Sequence, residues 1–252
     1  MVNQIKCKAA LHFNEKPQLE PDSIPRHIAI VMDGNRRWAK AHDFGYDTGH
    51  RQGAKRVDEM VEAAIDLGVQ TVTLYAFSTE NKLRGKAEIA VLMTLLEKYL
   101  TDSVPQMVVQ GVRLSVIGNV KNFSKHIQKN LEEACKATKD GSKLDLVLAL
   151  NYGARDEICR AAMRFARDCC LQKCSSEKLT EEQFADYLDT APWPDPELLI
   201  RTGGEMRLSN FLLWQISYSE VYITKTLWPD FGKGDLLKAI MDYQSRKRRF
   251  GK

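Results

Sequence analysis

Short, near-continuously apolar runs recur along the chain at 27–32, 70–77, 112–117, 144–150, 197–200 and 221–227. Between them lie longer segments whose apolar residues return every three or four positions, at 52–67, 87–110, 125–137, 155–171 and 180–188, with a last such stretch over 231–247. Runs of the first kind predict strands covered on both faces, and spacing of the second kind predicts helices with one buried side. Their alternation predicts a single α/β domain over 25–252, a mostly parallel six-stranded sheet with helices on both faces. Residues 1–24 mix charges with Pro17 and Pro21 without periodicity and read as a loose arm.

Two of the apolar runs end in loops suited to phosphate. The first continues as Val31-Met32-Asp33-Gly34-Asn35-Arg36-Arg37-Trp38, and the second as Arg201-Thr202-Gly203-Gly204-Glu205-Met206-Arg207-Leu208-Ser209-Asn210. Each pattern predicts a strand, a glycine turn and the start of a helix, with Ser209 as the second helix's N-cap. Free amides at a helix start attract anions, and glycine lets the backbone approach them. Arginine adds a planar fork of donors that matches phosphate oxygens. Asp-Gly-Asn by itself is an ordinary turn. A turn needs no arginine pair, however, and a diphosphate does. Asp33 is suited to Mg²⁺, which takes one or two carboxylates together with phosphate oxygens.

Other polar residues are weaker signals when taken singly. His50 falls near the predicted start of a helix, as a cap, a surface residue or a donor to phosphate. Ser78 and Thr79, in Phe77-Ser78-Thr79-Glu80-Asn81, are suited to capping a helix, and Arg84 and Glu88 follow on the approach to the long helical segment. That segment bears Ile89, Leu92, Met93, Leu95, Leu96, Tyr99 and Leu100. A stripe of this kind serves a core or lines an apolar tunnel, and the pattern leaves both open. Glu220 reads as a charged loop residue before the last strand.

Composition narrows the classes. With 252 residues and 44% apolar residues, the chain can bury one sizeable core. A net charge of +4 gives no argument for nucleic acid. Six cysteines without a preceding signal peptide fit a reducing cytosol better than a disulfide framework, and Cys169, Cys170 and Cys174 lack the paired spacing and nearby histidine of a metal site. No run approaches the ~20 apolar residues that span a bilayer. There is no Walker loop, dinucleotide-binding glycine fingerprint or serine elbow, and no residue reads as a covalent nucleophile. Two anion loops, one metal-binding carboxylate and broad apolar helices together favour transfer of an allylic group whose diphosphate leaves.

The segments His27-Ile28-Ala29-Ile30-Val31-Met32-Asp33-Gly34-Asn35, Phe77-Ser78-Thr79-Glu80-Asn81 and Ala149-Leu150-Asn151-Tyr152-Gly153 bear a family resemblance. So do the stretch from Leu199 to Ser219 and Leu227-Trp228-Pro229-Asp230-Phe231. In order and spacing the chain closely resembles the cis-prenyltransferases (Z-type isoprenyl synthases), the undecaprenyl diphosphate-forming branch in particular. The resemblance implies an α/β fold with an apolar tunnel and repeated cis addition of isopentenyl diphosphate to an allylic diphosphate such as farnesyl diphosphate. It also implies Mg²⁺, a homodimer, a cytoplasmic location with peripheral contact at the inner face of a membrane, and a product used as a cell-wall lipid carrier.

By the same resemblance Asp33 and Asn81 are the catalytic residues, Asp33 through Mg²⁺ and Asn81 by assisting proton removal. Gly34, Asn35, Arg36, Arg37, Trp38, Tyr46 and His50 bind substrate around the allylic diphosphate, with Ser78, Thr79, Glu80, Lys82 and Arg84 beside them. Arg201, Arg207, Leu208 and Ser209 hold isopentenyl diphosphate, and Arg249 and Gly251 of the basic tail reach the partner's site. Glu220 is a second residue able to contact metal, across the dimer. The chain departs from the common pattern at Lys82, Gly85, Arg36, Tyr46 and Met206, and methionine's soft thioether is a poor ligand for Mg²⁺. Two other readings are a non-catalytic subunit of a heteromeric prenyltransferase and a polyprenyl phosphate-binding protein.

Overall fold

The computed structural model describes residues 19, 20, 23–83 and 85–246. The expected arm over 1–24, apart from 19, 20, 23 and 24, lies outside them. Six strands form one sheet in which every neighbouring pair is parallel: β1 (His27–Val31), β2 (Thr71–Ser78), β3 (Val112–Ile117), β4 (Leu144–Tyr152), β5 (Leu198–Arg201) and β6 (Glu220–Ile223). Their order is β3-β4-β2-β1-β5-β6. The helices are α1 (Asn35–Ala41), α2 (Tyr46–Asp66), α3 (Lys86–Gln110), α4 (Lys125–Thr138), α5 (Ala154–Cys170), α6 (Glu181–Ala185) and α7 (Lys233–Ser245).

Side chains alternate across a strand, so each inner strand supplies both layers. Ile28, Ile30, Leu74, Leu146 and Leu148 face the larger layer, where Met60 and Ala64 of α2, Leu100 and Met107 of α3, Leu131 of α4 and Ile240 of α7 cover them. Ala29, Val31, Val147, Ala149 and Leu199 face the smaller layer, against Phe211, Leu212 and Ile216. A sheet buried on both sides explains the unbroken apolar runs.

From β1 the chain moves toward β2 on one side and later returns to add β5 on the other. The order therefore reverses between β1 and β5, and a crevice opens beyond their carboxyl ends. Ligands of open α/β sheets lie in such a crevice. Asp33 follows β1 there, and Arg201 ends β5.

The first phosphate-type loop has the expected strand, turn and helix. Gly34 takes φ 122°, and a Cβ there would come within 2.9 Å of Leu227, so glycine is required. The second loop does not have that form, and no helix lies between β5 and β6 among residues 202–219. Ser209, Asn210 and Leu212 are left-handed, at φ 52°, 61° and 45°, which forbids a right-handed helix through them. Ser209 is accordingly a turn residue and not an N-cap. Tertiary bonds replace the helical ones: Gly203 N–H donates to Thr226 O and Gly204 N–H to Thr224 O, both at 2.8 Å.

Smaller differences have similar causes. Helix α2 begins at Tyr46, six residues before the predicted start, and places His50 inside the helix, buried. Its two early glycines are packing residues: a side chain at Gly49 would strike the Asn35 carbonyl, and a Cβ at Gly53 would lie 2.9 Å from Trp228. Strand β6 stops at Ile223, because Thr224 Oγ1 accepts from Thr226 N–H at 3.2 Å and turns the chain. Helix α6 is five residues long and held by a capping box of Thr180 and Gln183.

Candidate active site

Asp33 is the hub of the crevice. Its Oδ2 accepts from Arg201 at 2.9 Å, and its Oδ1 lies 3.1 Å from the Arg37 guanidinium. Its backbone is fixed as well. Asp33 N–H donates to Thr202 Oγ1 at 2.9 Å, and that hydroxyl donates to Asp33 O at 2.7 Å. One carboxylate thus ties β1 to β5 through two cations. Arg37 also donates to Gly203 O at 2.6 Å. Gly203 has φ 83°, and a Cβ on it would meet both Arg37 and, at 3.2 Å, Asp33 O.

The Arg201 side chain is only 6% exposed. Its guanidinium donates to Ser209 Oγ at 2.9 Å and to the Arg207 carbonyl. Its Nε is buried with no acceptor among the described residues. A buried donor without a partner is costly, and a phosphate oxygen would satisfy it. Asn35 Oδ1 and Asn81 Oδ1 are also buried without donors.

Asp33, Asn35, Asn81, Arg201, Arg207 and Ser209 border a cavity of about 690 Å³ between α2, α3 and the sheet, whereas Arg37, Thr202 and Gly203 stand behind Asp33 and do not line it. Asp33, Asn35, Asn81, Arg201, Arg207 and Ser209 make its polar end, while Val57, Leu92, Met93, Leu96, Leu148 and Leu150 are among its apolar walls. Leu95 and Tyr99 line it too, so the stripe left open between core and tunnel does both jobs: Leu100 and Met107 of the same helix are core. The cavity suits an amphiphile with an anionic head and a hydrocarbon body.

His50 also reaches this cavity, with Nε2 3.4 Å from Glu88 Oε1, and Arg36 lies 3.9 Å from the other oxygen of Glu88. At the end of β2, Ser78 Oγ accepts from Asn81 N–H at 3.2 Å and starts a 3-10 turn over Thr79–Leu83. Thr79 donates to Glu80 at 3.0 Å. Burial opposes charge on Glu80, but bonds from Asn210, its own backbone, Thr79 and Ser78 outweigh it and hold the carboxyl below its ordinary range.

Three residues with no assigned part in the sequence reading hold this end together. Thr202 locks Asp33. The Tyr75 hydroxyl donates to Tyr152 O at 3.2 Å and to Ser209 O at 3.3 Å. Asn210 donates to Glu80 at 2.9 Å and accepts from Arg155 N–H at 3.0 Å, joining the helixless loop to the 3-10 turn after β2 and to α5. Thr202 and Asn210 sit inside the quoted motifs, whereas Tyr75, midway along a strand, gave no separate signal.

Some predicted residues stay outside the cavity. Trp38 donates its indole N–H to Asp230 at 2.7 Å and stacks on His42. Tyr46, Leu208 and Met206 are exposed, Met206 at 85%. Glu220 opens β6 in register with Leu198, three residues before Arg201, and so sits at the opposite end of the sheet, paired with Arg246 at 2.8 Å. The side chain of Lys82, and Arg84, Arg249 and Gly251 entirely, lie outside the described residues.

The donors fit a hard divalent cation. Asp33 offers a carboxylate, and Asn35 and Asn81 present unpartnered oxygens in the same cavity. Among the described residues no group of three or more His, Cys, Asp or Glu could hold a metal. An ion here would therefore complete its shell from water and a ligand's phosphate oxygens, as Mg²⁺ does.

Comparison with known proteins gives the family. Residues 31–251 match the prenyltransferase family described as "Putative undecaprenyl diphosphate synthase". The chain is 48% identical over 235 residues to the isoprenyl transferase of Chlamydia trachomatis serovar D, covering 92% of this chain and 93% of that one. It is 47% identical over 228 residues to the isoprenyl transferase of Bacillus cereus, covering 90% and 88%. Among solved structures, lavandulyl diphosphate synthase from Lavandula x intermedia, in complex with dimethylallyl diphosphate, superposes with a TM-score of 0.89 at 34% identity, over 92% of this chain and 100% of that one. A probable undecaprenyl diphosphate synthase from Campylobacter jejuni gives 0.76 at 35% identity, over 90% and 99%.

Proposed function

Since this chain belongs to the undecaprenyl diphosphate synthase family of prenyltransferases, we propose that it adds isopentenyl diphosphate repeatedly, with cis geometry, to an allylic diphosphate such as farnesyl diphosphate. The observation that carries the reading is Asp33, held between Arg37 and Arg201 at the polar mouth of an apolar cavity. Two cationic positions on either side of one carboxylate suit two diphosphates brought head to head. The bound dimethylallyl diphosphate of the lavandulyl diphosphate synthase structure is itself an allylic diphosphate.

In this reading the start of α1, Asn35, Arg37 and His50 hold the allylic diphosphate, and its hydrocarbon tail lies along Leu92 and Leu96. Arg201, Arg207 and Ser209 hold isopentenyl diphosphate. Mg²⁺ held by Asp33 would neutralise charge on the departing diphosphate. The fixed cations stabilise that charge without having to reorganise. The allylic C–O bond breaks, the isopentenyl double bond attacks the carbon left behind, and a proton leaves the isopentenyl C2. Asn81, at the same mouth, assists that proton's departure. Apolar walls keep water from the allylic cation.

The working form is a homodimer, and the product is a long polyprenyl diphosphate of the cell-wall carrier type. No helix among the described residues is long and apolar enough to cross a membrane. Product release by peripheral contact at the inner membrane face, from a cytoplasmic enzyme, completes the proposal.

The test is incorporation of labelled isopentenyl diphosphate by the purified chain alone, with farnesyl diphosphate and Mg²⁺, followed by chromatography of the product. A ladder of extended polyprenols supports the reading. No incorporation by a folded chain would turn it toward a subunit that needs a catalytic partner, or a polyprenyl phosphate binder.

A further inference from the structure

Far from the cavity, helix α5 ends in a turn that folds two thiols together. Leu171 N–H donates to Arg167 O at 3.0 Å, Gln172 N–H to Cys169 O at 3.0 Å and Lys173 N–H to Asp168 O at 2.9 Å. Gln172 is left-handed at φ 56°. This reversal carries Cys174 back over the last turn of the helix and sets its Sγ 3.1 Å from Cys169 Sγ. Both thiols are free and half-buried. Cys174 is also seated from the other side. Its Sγ lies 3.9 Å from Phe165 O, and the Tyr187 hydroxyl points at it from 3.8 Å. The Tyr187 ring packs edge-on to Phe165 at 5.6 Å.

A disulfide has its sulfurs about 2.05 Å apart, so closing this pair takes a movement of ~1 Å. The two thiols also differ in surroundings. Cys174 sulfur lies within reach of both the Cys169 thiol and the Tyr187 hydroxyl, which also donates to Asp168 at 3.3 Å. Cys169 stays protonated beside it, and its hydrogen bond with Cys174 pushes its pKa up to about 11.

We infer that Cys169 and Cys174 form a reversible dithiol modification site, closed to an intramolecular disulfide by a hydroperoxide. The Cys174 thiolate attacks one peroxide oxygen. The O–O bond breaks, leaving a sulfenic acid on Cys174, and the other oxygen departs as the first water with the thiol's proton. Cys169 sulfur then attacks the sulfenic sulfur. The S–O bond breaks, and hydroxide leaves as the second water with the Cys169 proton. Two thiols lose two electrons, and one hydrogen peroxide becomes two waters. A dithiol carrier reverses the step by exchange. Helix α5 is 17 residues long, so this site lies ~25 Å along it from Ala154 at the sheet end. Nothing assigned to diphosphate binding or catalysis is touched.

Trypsin makes the test direct, because it cuts after Arg167, Lys173 and Lys178 and separates the two cysteines into peptides 168–173 and 174–178. The full chain is reduced, freed of reductant, treated with one equivalent of hydrogen peroxide, blocked with iodoacetamide and digested without reduction. The expected product is the two peptides joined, two mass units below their sum, with Cys170 carrying one alkyl group in wild type and no alkylated cysteine in Cys170→Ser. It should be absent from Cys169→Ser and Cys174→Ser and should disappear with dithiothreitol. Isopentenyl incorporation by the reduced Cys169→Ser variant should match wild type. Linkage through Cys170, disulfide-bonded dimers on a non-reducing gel, separate over-oxidation of the two thiols, or both peptides recovered fully alkylated would each overturn the assignment.

Discussion

Replacing Arg201 by lysine keeps a positive charge beside Asp33 and removes the fork. Arg201 makes bonds to Asp33 and Ser209, each at 2.9 Å, and to the Arg207 carbonyl, and its Nε is buried with no acceptor among the described residues. Lysine's single ammonium can keep the Asp33 contact but cannot also hold Ser209 and Arg207 in one plane. The loss that matters for binding is the charge-assisted bond which the free Nε would make to a phosphate oxygen. Such a bond is worth ~1.5–3 kcal/mol, and hence about 10- to 150-fold in affinity. Initial rates should show the Michaelis constant for isopentenyl diphosphate rising by that factor, while the constant for the allylic substrate stays within about twofold. Because the side chain is only 6% exposed, a thermal melt of the variant must accompany the rates to establish that it is folded at the assay temperature. Equal increases in both constants, or no increase for isopentenyl diphosphate in a folded variant, would refute the assignment of Arg201 to that diphosphate.

Asp33→Asn keeps one acceptor oxygen and turns an amide NH₂ toward the other guanidinium, because Arg201 sits on Oδ2 and Arg37 on Oδ1. Its melt should therefore fall below wild type, while turnover, measured where the variant is folded, falls by at least ~100-fold, the size typical of lost preorganised charge stabilisation; near-normal turnover at saturating Mg²⁺ would remove Asp33 from the metal role. Leu96→Trp adds volume to the cavity wall and should shift products toward shorter chains on chromatography, with the isopentenyl Michaelis constant little changed. His27 is buried and neutral, its Nδ1–H donating to Pro194 O at 2.6 Å and its Nε2 accepting from Thr73 Oγ1 at 2.8 Å. Burial pulls its pKa from 6.5 down to about 4. The unfolded chain takes up this proton below pH 6.5 and the folded chain does not, so the contribution is intact above 6.5 and is lost as pH falls toward 4, by about 3 kcal/mol at most. Urea unfolding of wild type and His27→Gln at pH 7, 5.5 and 4 should show a shallower loss in the variant.

The parts legible in the sequence were those fixed by burial. Strand β3 has the predicted bounds, and α3 begins one residue early, because both follow from apolar periodicity alone. The loop after β1 was legible because its glycine turn leads straight into a helix. The loop after β5 was misread because left-handed Ser209, Asn210 and Leu212 are selected by tertiary bonds to Tyr75, Glu80 and α5, which no local pattern encodes. The start of α2 was hidden for a related reason. Gly45 and Gly49 precede the predicted start, and Gly49 is there so that α1 can pack against the helix, as Gly53 lets Trp228 do. Glu220 illustrates a further limit: its place in a motif gave no hint that strand direction carries it to the far end of the sheet, onto Arg246.

The central claim, that two diphosphates meet at Asp33 with the growing chain in the cavity, is tested most directly by one crystal structure of the protein with isopentenyl diphosphate, Mg²⁺ and a slowly reacting thio analogue of farnesyl diphosphate. The farnesyl tail should lie between α2 and α3 beside Leu92 and Leu96, its diphosphate at the start of α1, and the isopentenyl diphosphate on Arg201 and Arg207, with Mg²⁺ on Asp33. A farnesyl tail outside the cavity, or both diphosphates bound away from Asp33 and Arg201, would contradict it.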